Sequence, residues 1–272
     1  MTRKINKNKI ITVVCMILAA VLLMSGCNNN FDDPSENESS DDSVQVGGEP
    51  KKRVALTFDD GPHNVRTTDI VDELNKYGYH ATFFVIGNRL DGTEYNGKEG
   101  LRYAVAAGNE IGIHGYTHET GVYYDKCSDE RYEEELSKTE AAILKILPDY
   151  KVKLMRPVGG RITEERAKNC KYSVIMWDVD SSDWEYKYKK GDSDEVCREK
   201  VDAIVDNVMS SVRDGSIILM HDIYESTYDA TVIILERLHK EGYEVVTVSE
   251  LIGDDLKAGE TYSRVQSADI GG

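Results

Sequence analysis

Residues 51–87 read KKRVALTFDDGPHNVRTTDIVDELNKYGYHATFFVIG. Val54–Phe58 is a short apolar run of β-formers, and Ala81–Ile86 is a second. Between them Ile70, Val71, Leu74 and Tyr77 recur at helical spacing over Asp69–Tyr77, and Gly78 stops the run. A strand, a helix and a strand in this order describe a crossover that brings two strands parallel.

The same rhythm continues along the chain. Leu101–Ala107 reads as a short helix stopped by Gly108, and Glu110–Ile113 as a third strand. Ser128 can cap a helix running to about Leu147, with Pro148 just past its end. Lys153–Arg156, Ser173–Trp177, Ser216–Met220 and Glu244–Val246 read as four further strands. Helices over Thr163–Asn169, Glu195–Ser210 and Ala230–Lys240 separate them, and Ser249–Leu251 closes the domain. About seven parallel strands alternating with helices predict an α/β fold, a distorted (β/α) barrel short of the usual eight units. An open doubly wound sheet is the alternative. No internal repeat is visible.

The flanks read differently. Residues 1–26 begin with Arg3, Lys4, Lys7 and Lys9, continue as an apolar stretch from Ile10 to Met24, and end in Ser-Gly before Cys27. That is a secretion signal, too short to span a bilayer comfortably. Its Ser-Gly-Cys ending resembles a bacterial lipobox, which makes Cys27 the lipidated first residue; an uncleaved anchor is the alternative. Either way the remainder lies outside the membrane. Residues 27–50 form an acidic tether: seven acids, no bases and many Ser and Asn cannot bury enough apolar surface to order themselves. The folded domain is expected over 51–252, with a polar C-terminal tail over 253–272.

The net charge of −16 becomes −20 once the four bases of 1–26 are removed with no acid. Phosphates would be repelled, so nucleic acid is excluded as a partner, while neutral or cationic polymers are admitted. Cys127, Cys170 and Cys197 remain after Cys15 and Cys27 are set aside. Their spacing is not that of a zinc cluster, and free thiols are expected.

The informative polar residues follow the strands. Asp59 and Asp60 come after the first, His114 after the third, Arg156 at the end of the fourth, Asp180 and Asp183 after the fifth, and His221 after the sixth. The C-terminal strand ends of a β/α barrel share one face, and that face carries the active site. His114-Gly-Tyr-Thr-His118 places two imidazoles four residues apart, on a turn entering a helix where such a pair shares a face. With one carboxylate and an open position they would form a catalytic metal site. Taken alone the pair is weak evidence. The carboxylate should come from Asp59-Asp60, since adjacent acids at a strand terminus repel each other unless a cation compensates. Asp-Gly-Pro is also turn chemistry, so this piece by itself leaves both readings open.

Five segments in order resemble the polysaccharide deacetylases, carbohydrate esterase family four. Thr57–Gly61 is similar to T-F-D-D-G, and His114–His118 to H-x₃-H. Arg156–Gly160 is similar, imperfectly, to R-P-P-Y-G; Asp180–Trp184 to D-S-x-D-W; Leu219–His221 to L-x-H. The Ala81–Gly87 strand is also family-like, and the resemblance covers Lys51 to Ile252, some three quarters of the chain.

The resemblance implies hydrolysis of acetyl groups on an N-acetylated cell-envelope polysaccharide, first of all peptidoglycan N-acetylglucosamine. Chitin, xylan or a biofilm glucosamine polymer are alternatives within the same chemistry. It implies Asp60, His114 and His118 as ligands of one divalent metal ion: zinc, with cobalt or nickel also suited to the donor set. Asp59 is then the base and His221 the acid, Arg156 pairs with Asp59, and Asp183 orients His221. Gly159 supplies a backbone N–H to the oxyanion, and Trp184 and Leu219 line the acetyl pocket. Asp180 is read as structural. The expected protein is a monomer held to the outside of the bacterial membrane by the lipid on Cys27.

One departure stands out. Val158-Gly159-Gly160 replaces the family's Pro-Tyr-Gly, so a ring wall is lost and a wider or less ordered pocket is expected. That departure motivates a second reading, a glycan-binding lipoprotein with a decayed site. A third reading is hydrolysis of another amide. Remaining histidines have bland roles: His63 in a loop, His80 and His239 structural or exposed. Tyr123, Tyr124, Tyr186 and Tyr188 follow the motifs and can stack on sugars or simply pack. The acidic run Glu133–Glu135 is read as a solvated helix face.

Overall fold

A computed structural model of the chain describes residues 51–91, 97–119 and 122–266. The expected signal over 1–26 and tether over 27–50, including Cys27, lie outside the described residues. Among those described, no helix is long and apolar enough to cross a membrane.

The strands are β1 (Lys52–Asp59), β2 (Thr82–Ile86), β3 (Glu110–Gly115), β4 (Leu154–Met155), β5 (Ser173–Ile175), β6 (Val179–Asp180), β7 (Ile217–His221), β8 (Tyr243–Val245) and β9 (Thr261–Tyr262). The helices are α1 (Arg66–Asn75), α2 (Gly87–Asp91), α3 (Gly97–Ala106), α4 (Asp129–Ile146), α5 (Glu164–Lys168), α6 (Asp194–Met209), α7 (Glu225–Lys240) and α8 (Val248–Ile252). Ser128, Thr163 and Ser193 cap α4, α5 and α6, each accepting from the backbone N–H three residues on.

The strand order is β6-β7-β1-β2-β3-β4-β5-β9, with β8 paired to the first residues of β1. All these ladders are parallel. β1 is therefore central: Thr57–Asp59 pairs with Thr82–Phe84 on one side and Ala55–Asp59 with Ile217–His221 on the other. The result is a curled, distorted (β/α) barrel whose edge strands β6 and β9 do not pair with each other. The seven expected strands are present. The two additional ones, β6 and β9, are two residues long and carry no readable period.

Alternation along each strand builds two cores. Val54, Leu56 and Phe58 of β1 and Phe83 and Val85 of β2 turn outward to the helices. Ala55, Phe84, Leu154, Ile175 and Ile217 turn inward and fill the barrel, floored by Val248, Leu251 and Ile252 of α8 and by Val265. Gly112 of β3 is needed there, because a Cβ would come within 2.6 Å of the Phe84 ring. Truncating a buried residue such as Leu56 to Ala would cost about 2–5 kcal/mol.

Val265 and β9 correct the boundary at 252. β9 pairs with β5, Arg264 bridges to Ser216, and the Val265 N–H donates to the Gly215 carbonyl at 2.9 Å. Residues up to 266 therefore belong with the barrel rather than to a tail, although their composition is polar.

Candidate metal centre

Above the apolar filling, the same inward positions become polar. On β1, Ala55 is followed by Thr57 and Asp59; on β3, Gly112 is followed by His114; on β7, Ile217 is followed by Leu219 and His221. One alternation thus makes the core at one end of the barrel and a site at the other. Asp59, Asp60, His114, His118, Gly159, Asp180, Trp184, Leu219 and His221 border a cleft of about 440 Å³, together with Tyr123, Trp177 and Tyr224. Arg156 and Asp183 stand behind it, both fully buried.

The turn after β1 aims the two acids differently. Asp59 ends the strand, and Asp60 adopts a left-handed backbone with φ of 72°. Asp60 Oδ1 lies 3.6 Å from His114 Nε2 and 3.6 Å from His118 Nε2. Those gaps are too long for hydrogen bonds. They are close to the span of about 3.4 Å between two donors sharing one tetrahedral ion at bond lengths of about 2.1 Å. Asp60 Oδ1 is buried with no hydrogen-bond partner in the protein. Ligand atoms of all three residues fall within 4.8 Å of one another. A divalent ion would satisfy that orphaned oxygen, so the donor set fits a metal.

Histidine chemistry agrees. His114 Nδ1 sits 2.9 Å from the Arg156 carbonyl, which accepts, so Nδ1 carries the proton and Nε2 presents its lone pair. Burial pushes the His114 imidazole toward neutrality, with Asp59 and Asp60 pulling less strongly the other way. Burial would raise the Asp60 carboxyl, but His114, His118 and His221 hold it below the usual range.

The expected helical placement of His114 and His118 is not what brings them together. His114 lies in β3 and His118 in the loop beyond. The chain turns at Gly115, φ 129°, where a side chain would meet the Tyr124 hydroxyl and Glu135. Glu135 then fastens the loop. Its Oε2 accepts from the backbone N–H groups of Tyr116 and Thr117, both at 2.7 Å, and its Oε1 accepts from the Thr117 hydroxyl at 3.0 Å. Arg131 pairs with it at 2.6 Å. Glu135 is only 1% exposed, which corrects its reading as part of a solvated face. The signal was present: Leu136, Thr139, Ala142 and Ile143 form the buried face of α4, and position 135 lies on it.

Two supporting pairs flank the site. Arg156 donates from Nη1 to Asp59 Oδ1 at 2.9 Å and to Thr57 Oγ1 at 2.7 Å, and from Nε and Nη2 to the carbonyls of Ile175 and Met176 at 3.1 Å each. A buried guanidinium is thus tied to the Asp59 carboxylate by a charge-assisted hydrogen bond. Asp183 Oδ1 lies 2.7 Å from His221 Nδ1, while its Oδ2 accepts from the His221 backbone N–H and the Thr227 hydroxyl. Burial would lower the His221 pKa, but the charge and hydrogen bond of Asp183, then Asp59 and Asp60, raise it to about 9.

Asp180 accepts from the Ser182 N–H at 2.8 Å and shapes the turn at Ser182, whose φ is 52°. His63 Nδ1 accepts from the N–H groups of Val65 and Arg66 at the start of α1. The Tyr79 hydroxyl donates to the Tyr243 carbonyl at 2.8 Å, and His239 Nδ1 donates to the Tyr79 oxygen at 2.8 Å. The three cysteines are free thiols. No local pattern in the sequence marks Asp222. It is buried next to His221, with Thr67 donating to it, and burial pushes its pKa up to about 7. Gly61 packs on its carboxylate, so the Asp60 turn rests on Asp222.

A family model described as polysaccharide deacetylase matches residues 47–175. The peptidoglycan-N-acetylmuramic acid deacetylase PdaC of Bacillus subtilis is 39% identical over 201 residues, which cover 74% of this chain and 39% of that protein. This chain thus spans about two fifths of that relative's length. Its solved structure is similar with a TM-score of 0.64 at 37% identity, covering 74% of this chain and 90% of the other. A peptidoglycan-N-acetylglucosamine deacetylase of Bacillus cereus is 33% identical over 210 residues, 74% of this chain and 89% of its own. A family 4 acetyl xylan esterase from Clostridium thermocellum, solved with a cobalt ion, is similar with a TM-score of 0.67 at 29% identity, covering 79% and 99%.

Proposed function

We propose that this chain, which belongs to the polysaccharide deacetylase family, hydrolyses acetyl groups from an N-acetylated cell-envelope polysaccharide, with peptidoglycan N-acetylglucosamine the first candidate. One observation carries the reading. The open Asp60–His114–His118 cluster is flanked by a buried carboxylate fixed by Arg156 and by an imidazole fixed by Asp183. A base and an acid therefore stand at one cleft, each hydrogen-bonded to a buried partner of opposite charge.

Asp60, His114 and His118 would hold the metal. A divalent cation there supplies Lewis acidity, easing deprotonation of water and polarising an acetyl carbonyl. Asp59 takes the proton of the attacking water, its Oδ1 tied to Arg156. His221 stays protonated beside Asp183 and donates to the nitrogen that leaves, so the products are acetate and a free amine. The Gly159 N–H is the candidate donor to the developing oxyanion, and Leu219 and Trp184 border the acetyl group. Two imidazoles and one carboxylate suit zinc, and cobalt or nickel match the same donors.

Lipidation at Cys27 would keep a monomeric enzyme at the outer face of the membrane, next to such a substrate. The Ser-Gly-Cys sequence after an apolar stretch supports this. Replacing Cys27 by Ala should move the protein from the membrane fraction to the soluble one; retention in the membrane would reject the anchor.

Acetate release is the test. Purified, zinc-loaded protein is incubated in parallel with intact peptidoglycan, chitin oligomers and acetylated xylan. Release from peptidoglycan that chelator and Asp59→Asn abolish is the expected result. Release from xylan or chitin alone would move the substrate assignment, and no release from any would reject the hydrolase in favour of a glycan binder.

A further inference from the structure

We propose that Tyr123 is a specificity-determining residue of this cleft: its ring stands where Gly159 carries no side chain, and it offers the face on which a pyranose ring of the glycan stacks. The inference rests on the deacetylase reading above and adds to it a residue that belongs to a different loop.

Geometry places the ring. Gly159 and Gly160 have φ of 61° and 68°, a conformation that L side chains rarely adopt. A Cβ built on Gly159 would come 3.3 Å from Tyr123 Cε1 and 3.8 Å from Cδ1. The Tyr123 ring therefore occupies the direction in which a side chain at 159 would grow. A Cβ on Gly160 would meet the Trp177 ring at 2.8 Å. Two glycines in succession thus make room for two aromatic rings, and both rings border the cleft. The wall expected to be missing is supplied from elsewhere, which replaces the expectation of a wider, less ordered pocket.

The ring is held rather than loose. The Arg161 guanidinium lies 4.3 Å from the Tyr123 ring centroid, a cation–π contact. Arg161 is itself fixed by Asp125, to which Nε donates at 3.2 Å and Nη2 at 2.8 Å. Tyr124 and Ile162 form a parallel bridge that joins the two loops. Arg166 donates to the carbonyls of Tyr124 and Cys127 at 2.8 Å each. A half-buried tyrosine fixed before binding loses little entropy when a ligand arrives. Arg161 and Asp125 act on the cleft through Tyr123 and are positioning residues.

The test separates this inference from the hydrolase reading. Full-length, zinc-loaded Asp59→Asn protein is titrated calorimetrically with the hexamer of N-acetylglucosamine, alone and with Tyr123→Leu or Tyr123→Phe added. Wild type is assayed for acetate release in parallel. Tyr123→Leu should raise Kd about tenfold, the size of one lost aromatic stacking contact. Tyr123→Phe keeps the ring and should restore binding to within about twofold. An unchanged Kd in a Tyr123→Leu protein whose thermal midpoint is intact would overturn the proposal. So would equal losses in the Leu and Phe variants, or no hexamer binding while wild type releases acetate from that hexamer. Tyr123-dependent binding without acetate release from any glycan would leave this inference standing and remove the hydrolase reading alone.

Discussion

Asp183 grips His221 at two points: one carboxylate oxygen faces the ring Nδ1 at 2.7 Å, and the other accepts the His221 backbone N–H at 2.7 Å. One fully buried group thus sets the ring's position and, ahead of Asp59 and Asp60, favours its charge. The raised pKa of about 9 means that the folded protein keeps the proton where an unfolded chain would release it near 6.5. The stability this contributes is fully present below about pH 6.5 and is lost as pH rises through about 9. In metal-free protein, NMR titration of the His221 ring should give a midpoint near 9. Asp183→Asn should bring that midpoint down toward the ordinary value and reduce acetate release. A His221 midpoint unchanged in the Asn variant would contradict the role of Asp183.

The metal assignment predicts a specific failure pattern. Asp60→Ala, His114→Ala and His118→Ala should each weaken zinc binding by more than the roughly 10–100-fold typical of losing an outer-sphere partner. Elemental analysis after dialysis against a weak chelator reads this directly. The barrel should survive, since its two apolar clusters contain none of the three residues. Added zinc should raise the thermal midpoint of wild type and not of these variants.

Asp59 differs from Asp60 in a way that can be measured. Asp59→Asn should retain zinc while acetate release falls by about 10²–10⁴-fold, the usual contribution of a positioned base. Loss of zinc in this variant would make Asp59 a ligand instead.

Glu135 should matter to both stability and metal. Glu135→Ala strands the Tyr116 and Thr117 N–H groups beside the site and should cost about 3 kcal/mol in urea unfolding. Zinc affinity should fall as well, because the loop carrying His118 loses its tie to α4. Glu135→Gln, which keeps one acceptor, should fall between.

Legibility in the sequence followed the strength of local pattern. The apolar runs at Val54–Phe58 and Ala81–Ile86 are plain, and the polar residues just past them mark the face of the site from sequence alone. β6 and β9 were not legible, since two residues cannot show alternation. Glu135 was misread because three adjacent acids look solvated, although only its neighbours Glu133 and Glu134 are. Tyr123 follows the His114–His118 motif in the sequence, but its position beside Gly159 depends on two loops meeting, which no local pattern encodes.

The position of Val265 in the barrel floor bears on how the chain reaches this state. β1, near the start of the domain, is completed by β7 and β8, some 160 to 190 residues later, and the floor is sealed by residues later still. Pairings over such separations are slow to form, because long loops must close first. A nascent chain therefore cannot bury its inner apolar face piecemeal. The domain must wait, open and exposed, until its last segment has emerged, and truncation of that segment should yield an aggregating product rather than a smaller enzyme.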